Sequence, residues 1–168
     1  PLYWAIAKKC IMMNYRFYVL IFTLFLFSCK AKEQKETSSN KGMDKAALLD
    51  ADKAFSKLCE EKGMKNAFIE YIDSNGVLLR PGQLPIIGAN AIDYLIQQND
   101  SAYTLSWEPS NGEVCKSGEL GYTYGIYAMR PVSKDTLIYG TYTSIWKKQK
   151  DGSWKFVLDT GNEGIGDQ

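Results

Sequence analysis

The sequence predicts an α+β fold, with helices packed on one face of a curved, mostly antiparallel sheet. Three observations predict it. First, Gly118 to Gly161 contains three stretches in which β-branched and aromatic residues alternate with period two. Second, short polar turns separate these stretches, so successive strands must run antiparallel as a meander. Third, the residues before them carry apolar side chains at the 3–4 spacing of helices, so helices come first and the long strands follow.

In the chain's order, the front end reads as an export signal. Met12 and Met13 are the first potential starts, so residues 1–11 are expected either to precede the true start or to mark a fragment edge. Asn14-Tyr15-Arg16 forms a short basic region, and Phe17 to Phe27 is an eleven-residue apolar run. That run is too short for a spanning helix, which needs about 20 apolar residues, but suits a signal peptide. It ends in Leu26-Phe27-Ser28-Cys29, which resembles a bacterial lipobox, with Phe27 where a small residue is usual. The resemblance implies that Cys29 becomes the mature N-terminus and carries lipid. The acyl chains would then hold the protein at a membrane through buried CH₂ groups, worth roughly 0.8 kcal/mol each. An ordinary signal peptide or an uncleaved anchor is the alternative. Residues 1–29 are thus expected as a signal, 30–43 as a polar, disordered tether, 44–162 as the folded domain and 163–168 as a tail. The expected location is a bacterial cell envelope, periplasmic or surface-exposed.

Charge excludes one class of partner. The first 29 residues hold Lys8, Lys9 and Arg16 and no acid, and the rest of the chain is slightly acidic with no basic patch. Nucleic acid is not an expected partner. There is no histidine and no CxxC, so no metal site is expected, and no motif points to a cofactor. Of the four cysteines, Cys10 is expected to be absent from the mature protein and Cys29 to be lipidated. Cys59 and Cys115 are expected as two small core thiols or as a disulfide that export would permit.

Within the domain, Asp44 can cap a helix to Glu61 whose apolar positions are Ala47, Leu48, Ala51, Ala54, Phe55, Leu58 and Cys59. Gly63 ends it. A short helix, Lys65 to Tyr71, follows. Ser74-Asn75-Gly76 is a turn, Val77 to Leu79 a brief strand, and Gln83 to Ile87 a loop. A third helix runs from Ala89 to Gln98. Tyr103 to Trp107 opens the large sheet, and Glu108 to Gly112 interrupts it as a bulge. In the next strand Leu120, Tyr122, Tyr124, Ile126 and Ala128 share one face, while Gly121, Thr123, Gly125, Tyr127 and Met129 share the other. Two glycines on one face point to close backbone approach. Leu137 to Lys147 places Ile138, Gly140, Tyr142, Ser144 and Trp146 together. Asp151-Gly152 is a hairpin turn, and the last strand alternates Trp154, Phe156 and Leu158 against Val157 and Asp159.

This order resembles the nuclear-transport-factor-2-like (NTF2-like) superfamily, and within it the DUF4440 domains related to SnoaL-like and ketosteroid-isomerase-like proteins. The residues that carry the likeness are Asp52 to Phe55, Leu79-Arg80-Pro81-Gly82, Gly88 to Ile92 and Trp107-Glu108-Pro109, then Gly118 to Gly125, Gly140 to Trp146 and Asp151 to Lys155. The resemblance implies a cone-shaped fold with a pocket between sheet and helices, and a homodimer through the outer sheet face. It does not imply one function. The isomerase relatives place a carboxylate base just before the proline. Here that position is Arg80, which cannot abstract a proton at neutral pH. The dehydratase and cyclase branches rely on a histidine.

Trp107, Tyr122, Tyr124, Tyr142 and Trp146 are the candidate pocket lining, each pairing a large apolar face with one polar atom. Filling the cone is their simpler role. Arg80 is a candidate for binding an anionic ligand or for a rim ion pair. Asp159 and Asp73 are the weak catalytic candidates, with desolvation raising a pKa and a tyrosine hydroxyl assisting. Three readings follow: a lipid-anchored domain binding a small, partly apolar ligand; a small isomerase, cyclase or hydrolase; and a protein-interaction module. A buried carboxylate within reach of a pocket tyrosine would favour the enzyme. An apolar and aromatic pocket would favour binding, and a filled cone with an exposed apolar sheet face the interaction module.

Overall fold

A computed structural model describes residues 30–134 and 136–165. The expected signal segment, Cys10 and Cys29 lie outside the described residues. The chain divides into two units, Pro1–Asn40 and Lys41–Gln168, and the sheet lies wholly in the second. Among the described residues, no helix is long and apolar enough to cross a membrane.

Helix α1 spans Lys30–Lys62. It begins inside the stretch expected as a tether, where Lys, Ala, Glu and Gln are all strong helix formers. Asp44 is therefore an interior helical residue and not a cap, and its Oδ1 accepts from Lys148 Nζ at 2.8 Å. The buried stripe is Leu48, Asp52, Phe55, Ser56 and Cys59, which keeps the 3–4 spacing but puts two polar residues inside. Gly63 turns the chain at φ 83°, and a side chain there would strike the Asp100 carboxylate. That carboxylate accepts from the Lys65 N–H at the start of α2, Met64–Tyr71.

Strand β1, Ile72–Leu79, is longer than expected because the Ser74-Asn75-Gly76 turn is an irregularity within it, between Ile72 and Val77. The expected loop contains a two-residue strand β2, Ile86–Ile87, paired antiparallel with β1. Helix α3 runs over Ala89–Gln97. Four long strands follow: β3 Tyr103–Val114, β4 Leu120–Pro131, β5 Ile138–Lys148 and β6 Trp154–Glu163. The sheet order is β2-β1-β6-β5-β4-β3, antiparallel throughout except that β1 runs parallel to β6. The expected interruption in β3 is a bulge between Pro109 and Asn111.

Alternation sorts the two faces of the sheet. On β4, Gly121, Thr123 and Gly125 are buried, while Leu120, Tyr122, Tyr124 and Ile126 are exposed. The glycines are there for space. A methyl on Gly121 would meet the Leu48 side chain at 2.6 Å, and one on Gly125 would meet the Tyr142 ring at 2.9 Å. The core gathers around Phe55, whose ring lies 4.6–6.0 Å from those of Phe68, Tyr71, Trp107, Trp146 and Phe156. Burying a ring of that size contributes roughly 1.5–3 kcal/mol. The edge strand β3 is held to α1, since the Trp107 N–H donates to Ser56 Oγ at 2.8 Å.

The two described cysteines are free and unalike. Cys59 is buried, and desolvation pushes its thiol up to about 12. Cys115 is exposed rather than in the core. The Ser117 hydroxyl and the Leu120 N–H at its sulfur bring it down to about 7.

Candidate functional site

A cavity of about 520 Å³ opens between the concave face of the sheet and helices α2 and α3. Phe68, Tyr94, Tyr103, Trp107, Tyr127 and Tyr142 supply its rings, and Met64, Leu105, Met129 and Ile138 its aliphatic surface. Arg80, Ser144 and Asp159 form a polar cluster in the same wall, and Glu163 is an exposed lining residue. This mixture of large apolar surface and a few convergent polar groups is what a small-molecule site requires.

The polar cluster is tightly bonded. Arg80 Nη2 donates to Asp159 Oδ1 at 2.8 Å, and Ser144 Oγ donates to Asp159 Oδ2 at 2.9 Å. Arg80 Nη1 donates to the backbone carbonyls of Leu79 at 3.0 Å and Asp159 at 3.2 Å. The guanidinium also lies 5.6 Å from the centroid of Phe68. Alternation along β6 placed Asp159 opposite Trp154 and Phe156. The structure puts all three on the concave side, because Val157 is an extra residue between the pairs Trp146–Phe156 and Ile145–Leu158. The bulge turns Leu158 outward and Asp159 inward.

A second carboxylate, Asp52, was not among the sequence's candidates. It is fully buried on α1 and does not line the cavity. Its Oδ1 accepts from Trp107 Nε1 and its Oδ2 from the Tyr142 hydroxyl, both at 2.8 Å. Thr123 bonds it as well, and Thr123 Oγ1 in turn accepts from Trp146 Nε1 at 2.8 Å. Burial raises the Asp52 carboxyl above its ordinary range despite these donors. Burial, with Asp52 next to it, drives the Tyr142 phenol well above the tyrosine range. An acid inside a largely apolar helical stripe (Leu48, Phe55, Cys59) was the signal available in the sequence.

The remaining expected residues divide. Trp107, Tyr142 and Arg80 line the cavity. Trp146 does not. It is wholly buried beneath α1, where its indole bonds Thr123. Tyr122 and Tyr124 do not line the cavity either: they stack on the outer face, 6.5 Å apart and nearly half exposed. Their strand has its crowded, glycine-bearing face inward, so Tyr127 and Met129 enter the cavity instead, with the Tyr127 ring packed over Gly140. Asp73 lies away from the cavity and is a turn residue. The Asn75 N–H at 3.0 Å and Gln149 Nε2 at 3.1 Å hold its carboxyl below the usual range. Among the described residues no three of His, Cys, Asp or Glu gather as metal ligands.

Cone, helices and concave cavity together define the NTF2-like fold, an α+β class. An NTF2-like protein with a cystatin-like fold from Novosphingobium aromaticivorans has a similar structure, with a TM-score of 0.59 at 14% identity over 84% of this chain and 93% of that one. A ketosteroid isomerase-like protein from Erwinia carotovora atroseptica is similar at a TM-score of 0.56 and 14% identity, covering 71% of this chain and 96% of that one. The CaMKII hub of S. rosetta is similar at a TM-score of 0.56 and 16% identity, over 71% and 96%. Neither a family model nor a curated protein sequence matches the chain.

Proposed function

We propose that this chain is a binding domain that holds a small, partly apolar ligand in its concave cavity and does not turn it over. The observation that carries the reading is the cavity: about 520 Å³, walled by six aromatic rings, with one polar cluster already bonded to itself. A general base needs a free lone pair facing the ligand. Asp52 is within reach of a pocket tyrosine, which is the feature that favours an enzyme. It is sealed behind Trp107 and Tyr142, however, and accepts from both. Asp159 is held between Arg80 and Ser144, and Arg80 stands where the isomerase-like relatives place their base. These points weigh against the isomerase, cyclase or hydrolase reading.

We read the domain as DUF4440-type, on the residues that carry that resemblance in the sequence. Its place is the cell envelope, on a lipid carried by Cys29, on the strength of the Phe17–Cys29 segment. The exposed row Leu120, Tyr122, Tyr124 and Ile126, joined by Tyr139, supports a homodimer through the outer sheet face, as does the likeness to a hub domain. Mass spectrometry of the full chain, extracted in detergent from its own source, tests the lipid anchor, the dimer and the bound ligand. The expected result is a chain beginning at Cys29 with added acyl mass, at dimer mass under native conditions, retaining one small molecule per cavity. An unmodified chain that keeps Phe17 to Phe27 removes the lipid anchor. Protein that is always empty removes the binding reading.

A further inference from the structure

We propose that the cavity selects an organic cation with an apolar body, an amphiphilic amine or quaternary ammonium, over neutral and anionic molecules of the same shape. This inference rests on the binding reading above and assigns the charge of the ligand.

Among the described residues, the charged side chains lining the cavity are one cation, Arg80, and two anions, Asp159 and Glu163. The cation is not available to an anionic ligand. Its two terminal nitrogens make three hydrogen bonds to the protein, one of them to the Asp159 carboxylate that neutralises it. An anion entering the cavity would have to compete with Asp159 at 2.8 Å and would meet Glu163 without compensation.

The walls favour the opposite charge. Aromatic faces attract cations through their quadrupoles, most strongly where water is excluded. Two of the rings, Trp107 and Tyr142, donate their N–H and O–H to the carboxylate of Asp52 behind the wall. A ring that donates a hydrogen bond to an acid gains electron density on its face, so Asp52 strengthens the attraction without touching the ligand. Nearby carboxylates act on the cavity's phenols in the same sense. Burial chiefly, and then the carboxylates of Asp52, Glu108 and Asp159, push the Tyr142 phenol up, and burial chiefly, then Glu163, does so at Tyr127.

Three probes of one shape test the proposal: benzyltrimethylammonium, its neutral carbon isostere neopentylbenzene, and phenylmethanesulfonate. Each is titrated into the full chain in detergent, read by tryptophan fluorescence and calorimetry, with a titration into empty micelles subtracted. The expected result is that the cation binds about tenfold more tightly than either other probe. Glu163→Gln is expected to weaken the cation alone. Asp159→Asn is expected to weaken the cation and strengthen the sulfonate, because it releases Arg80. Neopentylbenzene binding as tightly as the cation overturns the proposal and leaves the binding reading intact, and so does a preference for the sulfonate. Failure of all three probes also overturns it, and the molecule retained in the native mass measurement then judges the binding reading separately. Probe preferences unchanged in both variants overturn the assignment of charge to these acids.

Discussion

Asp52 and Asp159 are two aspartates buried on the concave side of one sheet, and each accepts several hydrogen bonds. They differ in what surrounds them. Asp52 is met by neutral donors from β3, β4 and β5, and so ties α1 to three consecutive strands. Asp159 is met by a guanidinium and a serine hydroxyl, and lines the cavity. A buried acid answered only by neutral donors is a structural tie whose removal strands every donor at once. A buried acid answered by a counter-charge at a cavity wall sets the electrostatics a ligand meets, at little cost to the frame around it. Burial and hydrogen-bond count do not separate the two roles. The partners' charge and the access to the cavity do.

The strongest way to break this contrast is at Asp52. Asp52→Leu leaves Trp107 Nε1, the Tyr142 hydroxyl and Thr123 without their acceptor, and the expected loss is roughly 3–5 kcal/mol in urea unfolding. A loss under about 1 kcal/mol would mean the tie is dispensable, since one net hydrogen bond is worth that much.

The intermediate effect is at Asp159. Arg80 is one-fifth exposed and can be rehydrated from the cavity, so Asp159→Asn is expected to cost about 1–2 kcal/mol, well below Asp52→Leu. Equal losses for the two substitutions in the same unfolding series would erase the distinction between tie and wall.

The smallest effect is a pH dependence belonging to Asp52 alone. Its folded pKa is raised, chiefly by burial, so the native state holds the proton more tightly than the unfolded chain does. The stability that this lends is complete below the ordinary carboxyl range and is lost as pH rises through the folded value. The unfolding free energy of the native chain minus that of Asp52→Asn should therefore fall as pH is raised from about 4 towards neutrality. A difference that stays flat or grows over that range would show that Asp52 is not destabilised by its burial.

Much of the frame was legible in the residues. The helix stripe through Leu48 and Phe55, the stop at Gly63, the bulge near Pro109 and the alternation of β4 and β5 are local patterns, and each stands where its spacing put it. Half of the candidate site was not legible, and three particulars say why. Tyr122 and Tyr124 were assigned to the cavity because each pairs a large apolar face with one polar atom, yet the glycines on the other face of β4 were the better guide to where helix and rings crowd in. Asp159 was set against Phe156 by strict alternation, and the extra residue Val157 undid that alternation. Asp52 was read as one helical position among others, because its donors lie on strands 55 to 90 residues away in sequence.

By itself, then, the sequence determined which residues belong together: the members of each strand face, the stripe of each helix, and the places where glycine must stand. These follow from the 3.6- and 2-residue periods of the backbone, which are local properties. The tertiary structure alone decided which face of each strand is concave, which of two buried acids reaches the cavity, and that Arg80 is already answered by Asp159. Those outcomes depend on register, on one bulge and on the side of the sheet the helices cover. Each is set by the packing of residues distant in the chain, which a period read along one strand does not contain.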